Sequence, residues 1–365
     1  VNLPKSLPED VKSLKNGLSS NSDTIDIGMA GTAMRFLTAY FSVKQGKEVI
    51  LTGDARMKQR PISELVNALK TLGADIFYLE DEGFPPLRIA GKALKGGEIS
   101  ISGSVSSQFV SAIMMVGPYL KNGLKLQIQS DILSRPYIEL TADCMRKSGA
   151  EVEVSDRFIS IPAGKYSTKN VAIESDWSAA SYFYALAYAK PGSRILLKGL
   201  RLDSAQGDSI LKEWFEPLGV VSTQLENGVE IVSVGLVDFP TEIDFRNYPD
   251  LAQTFAFLAA TLGKELKLTG LDNLRIKETD RIAALQSELE KLGLEVLVSE
   301  NTLHLKGTIT VETITIETYN DHRMAMSASV LSCVIPTQIS NSKVVIKSFP
   351  KYWEEVVKLI GNPLE

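Results

Sequence analysis

The 365-residue sequence predicts an α/β protein of two lobes, 1–173 and 174–365, built from about six strand-and-helix units of which the first is truncated. Apolar segments alternate with amphipathic ones along the chain, and each amphipathic segment is closed by a glycine. Gly73, Gly149, Gly219 and Gly293 lie 76, 70 and 74 residues apart, and the anchors Thr32, Ser107, Ala179, Ala252 and Met324 in the apolar segments step by 75, 72, 73 and 72. A period near 73 residues is too long for a solenoid repeat and suits a supersecondary unit with one buried inner helix and one amphipathic outer helix.

Taken in order, Glu9 to Leu18 is a short amphipathic helix, followed by the glycine-bearing turn Gly28-Met29-Ala30-Gly31 that runs into an apolar helix from Thr32. Glu48 to Thr52 is strand-like. Arg60-Pro61-Ile62 opens an outer helix with Ile62, Leu65, Leu69 and Leu72 on one face, and Ala74 to Phe77 is the next strand. The inner-outer pairing returns as Ser106–Val116 with Pro136–Ser148, Trp177–Ala189 with Asp208–Leu218, Leu251–Leu262 with Asp280–Leu292, and Asp321–Val334 with Pro350–Ile360. Strands are expected at Ala150–Val154, Glu98–Ser102, Lys125–Ile128, Arg194–Leu197, Leu266–Thr269 and Val344–Ile346. Six outer helices and five inner ones leave the first outer helix unpaired, so the chain reads as beginning after an inner helix.

Composition narrows the function. With 44% hydrophobic residues and 23% charged, the chain supports two buried cores. Its apolar runs are too short for a bilayer, no signal core precedes them, and Cys144 and Cys333 fall in predicted helices, so a cytoplasmic protein without membrane association is expected. A net charge of −5 and a pI near 5.4 argue against nucleic acid as a partner. Two histidines and no cysteine pair at ligand spacing make a metal site improbable. The absence of a nucleophile elbow, a phosphate loop or a dinucleotide fingerprint argues against kinase and dehydrogenase readings, and no cofactor is expected.

Any bound anion must therefore be held by local clusters of cations. Polar residues gather at the starts of the apolar helices: Ser106-Ser107-Gln108, Asp176 with Ser178, Asp250, and Asp321-His322-Arg323. Each is explicable as a helix cap, and together they suggest helix starts converging on one polar surface between the lobes. In Arg275-Ile276-Lys277-Glu278-Thr279-Asp280-Arg281, Lys277 and Arg281 are four apart with Glu278 between them, an arrangement suited to proton transfer beside a bound anion. Arg35 sits inside an apolar helix, Arg56 and Arg60 bracket Met57-Lys58-Gln59, and Lys347 adds a further cation.

These strings, with Gly103-Ser104-Val105-Ser106-Ser107-Gln108-Phe109 and Ser134-Arg135-Pro136-Tyr137, resemble the enolpyruvyl transferases in the family's own order across most of the chain. The resemblance is to the branch acting in the shikimate pathway of aromatic amino acid biosynthesis. It implies two domains of three βαβαββ units each, closing over substrates at their interface, and transfer of the enolpyruvyl group of phosphoenolpyruvate to the 5-hydroxyl of shikimate 3-phosphate with loss of phosphate. It further implies that Gly31, Arg60, Gln108, Arg281, Arg323 and Lys347 bind phosphoenolpyruvate. Ser106, Ser107, Gln108, Ser134, Tyr137, Asp250, Asn273 and Lys277 would bind shikimate 3-phosphate, and a monomer is expected. Asp250 would accept the hydroxyl proton and Glu278 move the methylene proton, with His322 assisting; the sequence leaves the division between acid and base open.

The sequence departs from the family at three places. The family's opening Gly-Ser-Lys-Ser stretch leading to Asn-Arg has no counterpart, where the repeat count already places a gap, so weak or no turnover is expected of this chain. Met29 replaces the usual Asn, with consequences for phosphoenolpyruvate contacts and glyphosate sensitivity, and Phe36 replaces a Pro. Two alternatives stand beside the main reading. One is the related transferase acting on UDP-N-acetylglucosamine, disfavoured because its loop cysteine has no counterpart; the other is a non-catalytic anion-binding remnant.

Overall fold

The computed structural model describes residues 7–102, 106–130, 132–167, 172–235 and 238–360, and the chain divides into two compact units, Val1–Ala172 and Ile173–Glu365. Gly103 to Val105 of the serine string, and the opening Val1 to Ser6, lie outside the described residues.

In the first unit the same four-stranded pattern occurs twice. Thr24–Asp26 pairs in parallel with Glu48–Thr52 across the inner helix Gly31–Val43; the outer helix Ser63–Thr71 follows, and Leu87–Ala90 then lies antiparallel between Glu48–Thr52 and Asp75–Tyr78. Gly97–Ile101, the inner helix Ser107–Val116, Leu124–Ile128, the outer helix Arg135–Lys147, Glu153–Val154 and Phe158–Ile161 repeat that order and those pairings. Parallel neighbours need a crossover, which the inner helix supplies, whereas the last two strands close as an antiparallel hairpin. Each of these is a βαβαββ unit.

The second unit contains one complete copy: Glu242–Asp244, the inner helix Ala252–Leu262, Leu266–Thr269, the outer helix Arg281–Lys291, Glu295–Val298 and Leu303–Lys306. Beside it the described residues form an antiparallel three-stranded sheet, Val220–Leu225, Gly228–Ser233 and Arg194–Lys198, and a parallel pair, Ile314–Ile316 with Thr337–Ile339. The inner helix Ala252–Leu262 is buried from Ala252 through Thr261, because it is apolar on every face and packs inside rather than on a surface. Burial of side chains such as Phe255, Phe257 and Leu258, all 0% exposed, stabilises the unit by about 1.5–3 kcal/mol each.

The repeat is visible in the core as well as in the sequence. Ser181 Oγ of the helix Trp177–Ala189 lies 2.9 Å from Thr254 Oγ1, which lies 3.2 Å from Ser327 Oγ of the helix His322–Ala328, each step spanning 73 residues. Three equivalent hydroxyls, one from each inner helix, thus satisfy one another where water does not reach.

Several elements differ from the sequence expectation. Val344–Ile346 is no strand: Asn341 has φ 46, and the chain turns into the 3₁₀ helix Ser342–Lys347, whose first carbonyl accepts from Trp353 Nε1 at 2.8 Å. The β-branched run favours a strand locally, but that turn and its tryptophan donor decide otherwise. Pro61 lies ahead of its helix rather than inside it, since Ile62 is the N-cap and the helix begins at Ser63. Asp208–Leu218 splits into the 3₁₀ turn Gly207–Ile210 and the short helix Leu211–Phe215, because the Asp208 carboxylate turns inward to accept from Ser178 Oγ. Only Glu153–Val154 of the expected Ala150–Val154 pairs as a strand. Cys333 ends the 3₁₀ segment Ser329–Cys333 instead of lying in an α-helix.

Candidate active site

The second unit gathers the charged residues around one buried guanidinium. Asp280 caps the helix Arg281–Lys291 by accepting from Ile282 N at 3.1 Å and Ala283 N at 3.0 Å, so the helix starts at Arg281 and its side chain turns into the interior. Arg281 Nε donates to Asp321 Oδ2 at 2.7 Å, Nη1 to Asp250 Oδ1 at 3.0 Å and Nη2 to Glu278 Oε2 at 3.0 Å. A side chain only 2% exposed is thus held by three carboxylates. Lys277 does not share a helical face with it: Lys277 to Asp280 forms the connection after the 3₁₀ turn Leu274–Ile276, and Glu278 reaches Arg281 from that connection.

The two outer carboxylates each bind a second cation. Asp250 Oδ2 accepts from Arg323 Nη2 at 2.9 Å, and Glu278 Oε1 accepts from Lys347 Nζ at 2.7 Å. Arg323 Nη1 also donates to Tyr182 Oη at 3.3 Å. The result is a continuous row, Lys347, Glu278, Arg281, Asp250, Arg323, with Asp321 behind its centre. Three cations are matched by three carboxylates, which is how charge is kept in a site this buried.

The row perturbs the groups within it. Burial pushes the Asp250 carboxyl up, but Arg323, Lys277 and Arg281 outweigh it and hold the group well below the usual carboxylate range. Burial opposes the charge on Arg281, and Asp321, Glu278 and Asp250 reverse that effect, so it remains a cation throughout. His322 is pushed down to about 3 by burial, Asp321 opposing and Arg323 and Lys347 reinforcing the shift, and is a neutral imidazole near pH 7. Among the described residues its Nδ1 has no hydrogen-bond partner, and it lies 3.8 Å from Asp321 Oδ1.

Three residues to which the sequence assigned no catalytic or substrate-binding role belong to this surround. Asp321 is the helix cap it was expected to be, accepting from Arg323 N at 2.8 Å, and it is also the fully buried counter-ion of Arg281. Asp208 is pushed up to about 7 by burial and by Asp250, against the Ser178 hydrogen bond. Tyr182, pushed up to about 12 by burial, backs Arg323. For Asp208 and Tyr182 the sequence offers no signal beyond a polar group inside an otherwise apolar unit. Asn273 directly precedes the 3₁₀ turn Leu274–Ile276, half-buried.

The first unit holds the remaining expected residues. Gly31 opens its helix, and a side chain there would run into Nη1 of both Arg35 and Arg60, so two buried guanidiniums flank the glycine. Arg35 also lies 5.7 Å from the centre of the Phe109 ring. Gln108 Nε2 donates to Thr32 Oγ1 at 3.1 Å, tying together two helix starts, and Ser106 and Ser107 occupy the N-cap and first position of the second. Ser134, 5% exposed with φ 56, precedes the helix that carries Tyr137. Ser111 and Thr141, 2.7 Å apart, join that helix to Ser107–Val116. Arg56, the N-cap of the 3₁₀ turn Met57–Gln59, and Lys58 within it are half-buried, and Lys58 pairs with Glu80 at 2.7 Å.

Sequence comparison decides the family. The EPSP synthase (3-phosphoshikimate 1-carboxyvinyltransferase) family matches residues 8–356. The chain belongs to the EPSP synthase family. Among its relatives, the 3-phosphoshikimate 1-carboxyvinyltransferase of Bacteroides fragilis is 46% identical over 96% of this chain and 86% of its own. That of Photobacterium profundum is 38% identical over 91% of this chain and 78% of its own. A solved structure of EPSP synthase from Acinetobacter baumannii superposes with a TM-score of 0.73 over 94% of this chain and 80% of that one, at 24% identity, a likeness in fold. As in the rest of the EPSP synthase family, the chain is an α/β transferase of the shikimate pathway. Among the described residues no helix is long and apolar enough to cross a membrane.

Proposed function

We propose that this chain transfers the enolpyruvyl group of phosphoenolpyruvate to the 5-hydroxyl of shikimate 3-phosphate, and that the row Lys347, Glu278, Arg281, Asp250, Arg323 handles both the anionic donor and the protons. The row itself carries this reading: cations alternate with carboxylates, so an entering phosphate or carboxylate has cations to bind and the displaced carboxylates become bases. Arg281, Arg323 and Lys347, with Gly31, Arg60 and Gln108 of the first unit, are assigned to phosphoenolpyruvate. Ser106, Ser107, Gln108, Ser134, Tyr137, Asp250, Asn273 and Lys277 are assigned to shikimate 3-phosphate. In the row at rest Arg323 suppresses the basicity of Asp250. When an anion takes Arg323, that suppression weakens and Asp250 becomes competent to accept the hydroxyl proton.

Glu278 is assigned the methylene proton, because Lys347 holds it at the edge of the row and His322, neutral when buried, has no imidazolium proton to give. The Lys347 ammonium passes a proton across its hydrogen bond to Glu278, which delivers it to the methylene as the hydroxyl oxygen attacks the enol carbon, giving a tetrahedral adduct. The new methyl group then gives a proton back to Glu278, and through it to Lys347, as phosphate departs and the double bond is restored. The reading includes action as a monomer in the cytoplasm, which sedimentation of the purified protein tests for assembly. The decisive experiment measures phosphate release by the purified protein. Release that requires both substrates and falls by roughly 10²–10⁴ in Glu278→Gln supports the reading. Release with UDP-N-acetylglucosamine as the acceptor, or binding of both substrates without release, overturns it.

A further inference from the structure

The three cations come from three separate stretches of chain, and a second set of polar contacts, remote from the row, joins those same three stretches. Glu288, 0% exposed, lies two turns beyond Arg281 on its helix. Its carboxylate accepts from Lys291 Nζ at 2.8 Å on both oxygens, from Tyr319 Oη at 2.6 Å and from Glu317 N at 3.1 Å. Tyr319 and Asn320 immediately precede Asp321-His322-Arg323, and both adopt left-handed backbone, with φ 52 and 56. Asn320 Oδ1 accepts from Asn341 Nδ2 at 2.8 Å, and Asn341, itself at φ 46, is the N-cap of the 3₁₀ helix that ends in Lys347. Ser340 Oγ donates to Glu317 Oε2 at 2.6 Å, closing the circuit.

Two consecutive non-glycine residues in the left-handed region are costly, and such backbone persists only where the surroundings fix it. Here the fixing contacts are the Tyr319 hydroxyl on Glu288 and the amide pair Asn320–Asn341. We propose that Glu288, Tyr319, Asn320 and Asn341 form a clasp of positioning residues that sets Arg281, Arg323 and Lys347 relative to one another for the anionic donor. Without it, the 318–320 turn relaxes, Arg323 and Lys347 move independently of Arg281, and the cation set loses its register. None of the four touches substrate in this scheme. The inference rests on the reading of those three cations as the phosphoenolpyruvate site.

The test is steady-state kinetics with each substrate varied in turn, together with thermal unfolding, on Tyr319→Phe, Asn341→Ala and Glu288→Gln. Tyr319→Phe removes one hydroxyl and nothing else. It is expected to raise KM for phosphoenolpyruvate roughly 3- to 30-fold while leaving KM for shikimate 3-phosphate within about twofold. Asn341→Ala acts in the same direction, and the double variant costs less than the product of the singles, because the turn is already released. Glu288→Gln, which keeps an acceptor for Tyr319, has the smallest effect.

A clasp that served stability alone would lower the melting temperature and the active fraction with both KM values unchanged. That outcome, or equal increases in both KM values, overturns the proposal. Arg323→Met separates the two levels. If it leaves the phosphoenolpyruvate requirement unaltered, the site reading itself fails; if it abolishes saturation by phosphoenolpyruvate while Tyr319→Phe does not shift it, only the clasp fails.

Discussion

Replacing Arg281 by Met tests whether the row is held by its central guanidinium. The three carboxylates it pairs with are not equally exposed to its loss. Asp250 keeps Arg323 at 2.9 Å and Glu278 keeps Lys347 at 2.7 Å, but Asp321, with a fully buried side chain, keeps the backbone N–H of Arg323 and no guanidinium. Removing one partner from a buried ion pair costs about 3–5 kcal/mol because the other charge is stranded. For a unit of this size that corresponds to a fall in melting temperature of roughly 6–20 °C.

Neutralising the stranded charge is the sharper test. Adding Asp321→Asn, which removes that charge and keeps a capping acceptor, should recover part of the loss, as read by calorimetric scans of the single and double variants. A deficit below about 1 kcal/mol, or no recovery in the double variant, refutes the assignment of Asp321 as the obligate counter-ion.

His322 is pushed down to about 3, so its contribution to stability is present above the unfolded value of 6.5 and lost as pH falls toward 3; His322→Gln should flatten that part of a denaturation midpoint against pH curve. Asp208, pushed up to about 7, contributes with the opposite sign, its stabilisation lost as pH rises from 3.8 through 7, and Asp208→Asn should remove that slope. Gly31→Ala forces a methyl group against the buried guanidiniums of Arg35 and Arg60. It should raise KM for phosphoenolpyruvate by about tenfold or more with little change in melting temperature, as read by kinetics and calorimetry. If anion binding frees Asp250 from Arg323, the basic group seen in kcat against pH should titrate higher than the one seen in kcat/KM.

The repeat was legible because it is written in burial: a helix sealed on every face, as at Ala252–Leu262, must be apolar throughout, whereas Ser63–Thr71 keeps one polar face and ends before a glycine with φ 103. Motif residues such as Glu278, Arg281 and Arg323 were legible because charge beside apolar sequence is conspicuous. What was not legible is which charge answers which. Asp321 reads as a cap because a cap needs only its own helix, while its pairing with Arg281 joins residues 40 positions apart. The error over Val344–Ile346 has the same origin: local β propensity is a short-range statement, and a left-handed residue at 341 with a tryptophan donor at 353 overrides it.

The duplication explains why a row of alternating charge exists at all. The starts of the inner helices Ala252–Leu262 and His322–Ala328 lie at equivalent points of their units, as the 73-residue steps between Ser181, Thr254 and Ser327 demonstrate. Equivalent points that pack together bring Asp250 and Arg323 within 2.9 Å without either helix being distorted to reach the other. Arg281 is different, because it comes from the outer helix of one unit and reaches inward between two helix starts to collect Asp250 and Asp321. The equivalent outer segments Asp208–Leu218 and Pro350–Ile360 open without an arginine, so the repeat supplies carboxylates at two corners and this one outer helix supplies the cation that binds both. That combination matches charge along the row and places Arg323 and Lys347 at its two ends, on the outer carboxylates Asp250 and Glu278, which is why they are the members proposed to take an incoming anion.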